Sequence, residues 1–206
     1  MKVKKLLFYL LAAVLGGCVP VMSLHPLYTE KDLVFEENLL GTWEDVNGPG
    51  TVWEFSSPDE HEKACRLIFT DSEGYKGSFD AHLTKLGNNL FLDLYPSEPP
   101  WDEQDPNKVN WAYNTFFLIP AHTLIKVDFT ESVLKLQLTD DDELEKLLEE
   151  NPNAVEHTFV DNRPVLLALT HKLRAFVHKY ADDSRLFPDV KTLCRQEESN
   201  EPTDGQ

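Results

Sequence analysis

SFDAHLTKLGNNLFLDLY, residues Ser78 to Tyr95, is the stretch that decides the fold. Phe79, Ala81 and Leu83 alternate with polar residues, and Leu90, Leu92 and Leu94 repeat the pattern after Gly87-Asn88-Asn89. Apolar residues at every second position mark strands with one buried face, and Gly and Asn supply the positive φ that a tight hairpin turn requires. The segment reads as two antiparallel strands, 78–86 and 90–95. On its polar face His82 is expected near Tyr95 and Thr84 near Asp93, all four turned to solvent.

Working outward, the same logic gives further strands at 39–44, 51–55, 64–70, 116–129 and 133–138. The cluster Asn47-Gly48-Pro49-Gly50 separates the first two of these. Two helices come late. Leu144, Leu147 and Leu148 recur at helical spacing in 140–150 before Asn151-Pro152, and Leu173, Phe176, Val177 and Tyr180 mark one face of 170–180, with Thr170 as its expected N-cap. Residues 155–169 are extended, with a break at Asp161-Asn162-Arg163-Pro164. Seven to nine strands joined mostly by short connections predict a β-rich domain (β or α+β). Its expected form is a single antiparallel barrel or strongly curved sheet with two late helices packed on it.

The connection between the hairpin and the next strand is long. Residues 96–114, PSEPPWDEQDPNKVNWAYN, hold Trp101, Trp111 and Tyr113. Aromatic side chains on a long loop either tuck under it or contact a ligand or partner, and these three are candidates for such contact, together with Trp43.

The 206 residues carry a formal charge of −17. Such a balance repels phosphate and excludes nucleic acid as a partner. No Gly-x-Ser-x-Gly, phosphate-binding loop, His-Glu-x-x-His or Cys-x-x-Cys occurs, so no catalytic residue, metal ligand or cofactor is assigned. Asp140-Asp141-Asp142-Glu143 lacks the alternation and central Gly of a calcium loop and reads as an acidic helix start. Cys65 and Cys194 are either a disulfide joining a strand to the C-terminal segment or two free thiols.

The N-terminus has its own pattern. Lys2, Lys4 and Lys5 precede the ten-residue apolar run Leu6 to Leu15, too short for a lasting bilayer span, which takes roughly 20 residues. Leu15-Gly16-Gly17-Cys18 resembles the lipobox of bacterial lipoproteins. That resemblance implies cleavage before Cys18, lipid on its thiol and a membrane as partner. Val19, where an Asp favours inner-membrane retention, resembles outer-membrane sorting. Loss of residues 1–17, with their three lysines, leaves 189 residues and a formal charge of −20. The expected organisation is signal peptide 1–17, lipidated tether 18–32, one domain 33–194 and a disordered tail 195–206.

Gly41-Thr42-Trp43 resembles the Gly-x-Trp signature of lipocalin-like (calycin) barrels. In that family the Trp closes the barrel bottom against a basic residue from a late strand, and the barrel takes a small apolar ligand. The implied function is a non-catalytic, lipid-anchored envelope protein that binds such a ligand; the alternatives are an envelope protein-interaction or assembly module that uses the 96–114 loop, with an unknown envelope protein as partner, and an envelope enzyme of unknown type.

Overall fold

A computed structural model describes residues 20–57, 64–97 and 119–196. The strands are β1 (Met22–Ser23), β2 (Gly41–Asp45), β3 (Val52–Ser56), β4 (Cys65–Thr70), β5 (Lys76–Leu86), β6 (Asn89–Pro96), β7 (His122–Phe129), β8 (Val133–Leu138), β9 (His157–Val160), β10 (Arg163–Leu166) and β11 (Val190–Arg195). The helices are α1 (Asp141–Glu150) and α2 (Thr170–Tyr180), and a 3₁₀ turn, Glu37–Leu39, precedes β2.

Strands β2 to β8 run as an antiparallel meander, and β11 closes it by pairing with β8 on one side and β2 on the other. With the β6–β7 pairing this makes a closed eight-stranded antiparallel barrel. The chain between β8 and β11 leaves the barrel to form α1, the β9–β10 hairpin and α2. β10 pairs with β1, and β1 adds to β7 beyond the point where β8 ends. The closing strand β11 is absent from the sequence reading. Only Leu193 of its six residues is buried, so its alternation is faint.

The domain holds two apolar cores. The barrel interior takes Trp43, Trp53, Phe55, Leu67, Leu83, Leu92, Ile125, Leu134, Leu136 and Leu193, among others. The second core lies outside the barrel wall, where Phe91 of β6 and Leu124 of β7 meet Leu144, Leu147 and Leu148 of α1 and Leu173, Phe176 and Val177 of α2. Helical periodicity therefore placed the buried faces of both helices correctly. Asp140 caps α1 by accepting from Glu143 N at 2.9 Å. The α2 N-cap is Leu169 rather than Thr170, and it makes no side-chain cap bond.

The segment read as a tether is, from Pro20 onward, built into the domain. Val21 and Leu27 belong to the second core, and the Val21 amide donates to Thr139 Oγ1 at 3.0 Å. From β1 the chain crosses the outer face of β6 and β5. It then bonds along the lower end of β5 (Val34 N to Leu83 O, 2.9 Å) and turns under the barrel into the 3₁₀ turn. At the other terminus β11 runs through Arg195, and Gln196 N donates to Thr42 O at 2.8 Å. Arg195 and Gln196 thus belong to the barrel, not to the tail.

Candidate functional site: a sealed barrel end and a latched outer wall

The first site is the barrel end under Trp43. Trp43 is wholly buried, and its indole N–H donates to Leu39 O at 2.9 Å, tying the 3₁₀ turn to the base of β2. Arg195, at the end of the last strand, lays its guanidinium over the Trp43 ring, 4.2 Å from the centroid. The same guanidinium donates to Glu131 O at 2.6 Å, and to Asn38 O and Leu40 O at 2.5 Å each. One cation thus gathers carbonyls from the 3₁₀ turn, its exit and the β7–β8 turn, with an aromatic face beneath it. Gly41 makes room for this. Its φ is +113°, and a Cβ there would stand 2.5 Å from Arg195 Nη1. Both backbone conformation and close approach require glycine at that position. Arg195 was not singled out from sequence. The signal available was faint, since Arg195 ends a strand in which only Leu193 is buried.

The second site is on the outer wall. The observed register sets His82 opposite Asp93 and Asp80 opposite Tyr95, with Thr84 opposite Phe91. The expected pairs His82–Tyr95 and Thr84–Asp93 are therefore each off by two residues, because Leu86 pairs with Asn89 rather than with Phe91. The solvent-facing expectation fails as well. Asp93 is fully buried, and His122 of β7 is nearly so. Asp93 Oδ1 accepts from His122 Nδ1 at 2.6 Å, and Oδ2 accepts from the Leu27 backbone N–H at 2.6 Å. Tyr28 stacks on His82 at 4.2 Å between ring centroids, and Tyr95 packs on His122 at 4.7 Å. Burial pushes the Tyr28 phenol above its ordinary pKa, and the nearby Asp93, Asp80 and Tyr95 add to the effect. Arg174 of α2 grips the same strap from the other side. Its Nη1 donates to Leu27 O at 2.9 Å, and Nη2 pairs with Asp32 at 3.1 Å.

Chemically this cluster is a fastener. Both Asp93 oxygens are committed, one to orienting an imidazole and one to a backbone amide. Ser23, which faces His122 across the β1–β7 pairing, is fully buried, and its hydroxyl donates to His25 O at 2.8 Å. A Ser–His–Asp nucleophile needs that hydroxyl free and reachable.

Cys65 faces the barrel interior on β4, and Cys194 is exposed on the outer face of β11. Both are free thiols in the structure, the second of the two alternatives that the sequence leaves open. Two strands, β3 and β2, lie between theirs, and at roughly 4.8 Å per strand spacing no disulfide spans that gap from opposite faces. Asp140, Asp141 and Asp142 bring one ligand atom each within 4.8 Å of one another. Asp140 is the helix cap, and Asp141 lies 3.7 Å from Arg163, so the cluster is accounted for by the helix start. Cys18, Trp101, Trp111 and Tyr113 lie outside the described residues, as do the signal segment and the tail beyond Gln196. The stems of the 96–114 loop are described in part. Tyr95 and His122, which bracket the connection from β6 to β7, both belong to the latch.

The chain shows no significant match to a family model, to a curated protein or to a solved structure.

Proposed function

We propose that this chain is a lipid-anchored, non-catalytic protein of the bacterial cell envelope. Its lipocalin-like barrel takes a small apolar ligand at the end remote from Trp43. The observation that carries the reading is the sealed end. A Trp beside a positive-φ Gly, covered by an Arg from the last strand, leaves one mouth for entry. Most of the inward face is apolar, as a binding barrel for such a ligand requires, and the upper end also carries the ion pair Lys191–Asp45 at 3.8 Å. Around Trp43 the barrel is filled by side chains, which confines the ligand to the upper end. There Phe69, Phe79 and Leu138 remain half-buried. The anchor rests on the lipobox resemblance at Cys18, whose absence of Asp at the next position favours the outer membrane.

The test is native mass spectrometry of the protein extracted from membranes in mild detergent. An apolar adduct that disappears in Phe79→Arg is expected. A folded, adduct-free wild type would remove the ligand. The intact mass of the same sample reports acylation of an N-terminal Cys18.

A second reading is an interaction module that uses the 96–114 loop. It draws support from the way Tyr95 and His122 fix the two ends of that connection in one aromatic cluster. A crosslinked envelope partner that is lost when Trp101 and Trp111 become Ala would favour it.

A further inference from the structure

The small sheet outside the barrel has one face toward the second core and one turned away from it, the first exposing Phe159 at its edge and the second holding the buried Val165. Val21, Ser23 and Leu166 point toward α1 and the second core and are buried. On the opposite face Met22 is paired with Val165, and Val165 with Thr158, while Val160 is paired with Arg163. Leu24 continues the Met22 face, its amide donating to Leu166 O at 2.9 Å, and Leu169 lines the same hollow as His25. Met22, Leu24, Val160 and Leu169 are 36%, 42%, 54% and 51% exposed. Met22 and Leu24 lie on and just after β1, Val160 on β9 and Leu169 before α2; β10, between β1 and β9, adds the buried Val165 and the exposed Arg163 to this face, in a chain of formal charge −17. Strand β1 is the first described strand after the position proposed to bear lipid. Cys18 precedes Met22 by four residues, so its Cα lies within about 15 Å of Met22 at full extension.

We infer that the face of β1, β10 and β9 turned away from the second core rests on the bilayer, with Met22, Leu24 and Val160 entering the headgroup–acyl boundary. The inference rests on the proposed lipidation of Cys18. Three things commit this face to lipid. The anchor's reach is short, and Pro20 and Val21 are fixed in the domain rather than free to swing. Of the side chains exposed on this face, Met22, Leu24 and Val160 are apolar, and Thr158 and Arg163 are polar. The acyl chains supply the binding, so this face need only set the orientation. The acidic start of α1 stands beside the exit, since Thr139 holds Val21 and Asp141 faces Arg163. Seating should therefore be deeper on zwitterionic than on anionic lipid.

The experiment places an environment-sensitive fluorophore on single cysteines in the acylated, full-length protein with Cys194→Ser. The variants are Leu24→Cys, Val160→Cys and, as the reference, Tyr75→Cys. Tyr75 is 70% exposed on the β4–β5 turn, within the barrel rather than on the small sheet. The protein is placed in phosphatidylcholine vesicles with or without bromine on the acyl chains. Expected is loss of emission at 24 and 160 with bromolipid, at a depth of about 5–10 Å, no loss at 75, and weaker loss when phosphatidylglycerol is added. Acylated, vesicle-bound protein with unchanged emission at 24 and 160, or with equal loss at all three positions, overturns the inference while leaving the anchor intact. An intact mass without acyl groups overturns the lipoprotein reading itself.

Discussion

The two sides of the barrel wall along β6 and β7 are equally buried and chemically unlike. Leu92 and Ile125 point inward, Phe91 and Leu124 point outward, and all four are essentially inaccessible. Inside, Leu92 and Ile125 belong to an apolar cluster that burial stabilises. Outside, the same strands carry Asp93 and His122, and their burial is offset by the partners of both Asp93 oxygens and of His122 Nδ1. On the far wall the outward residues Glu54 and Arg66 are exposed. A strand's alternation therefore says which residues share a face. It does not say what covers that face.

The largest expected effect probes the inner side. Trp43→Ala removes the plug beneath Arg195 and should cost about 3–5 kcal/mol, read as one cooperative loss of stability in denaturant melts. A loss confined to the 3₁₀ turn would break the comparison. Next comes the outer side. Asp93→Asn keeps an acceptor for Leu27 but loses the charge-assisted bond to His122, and should cost about 1–3 kcal/mol. Hydrogen exchange should rise first at Leu27 and Tyr28 while amides of β3 and β4 stay protected. Uniform exchange across both regions would show the latch to be inseparable from the barrel.

A smaller effect sharpens the electrostatics. The Tyr28 pKa is raised on folding, so its packing contribution is complete below the ordinary tyrosine value of 10.0 and is lost as pH rises through the folded value. Subtracting the Tyr28→Phe absorbance titration at 295 nm from that of wild type should leave one phenol that ionises late. If that phenol titrates at the ordinary value, Tyr28 is not held against Asp93. The last test involves no stability change. Cys194 should react with Ellman's reagent in the native protein and Cys65 only after unfolding, since burial pushes the Cys65 thiol up. Two unreactive thiols in unfolded, unreduced protein would restore the bridge.

Much of the inner side was legible in the sequence. The alternation in 78–95 marks Ala81, Leu83, Leu92 and Leu94 as a shared face, and the apolar spacing in 140–150 and 170–180 marks the helix stripes. The Gly-x-Trp tripeptide pointed to the plug but not to its cation, because Arg195 lies far away in sequence on a strand with one buried residue. The latch was illegible for a different reason. Asp93 looks like the polar member of an alternating strand until a segment 66 residues earlier brings a backbone N–H to it. No local period encodes that meeting. Residues 20–32 likewise look like a spacer, because Val21 and Leu27 are too far apart to show a pattern.

That the ring closes with β11 has a consequence for how the protein is made. Trp43 pairs with Arg195, and every residue between them must be present before β2 and β8 lose their open edges. A chain that stops short of residue 190 is a curled ribbon with two unsatisfied borders, prone to join its neighbours rather than itself. Such long-range closure is slow. A nascent chain would thus stay pliable until its last strand emerges.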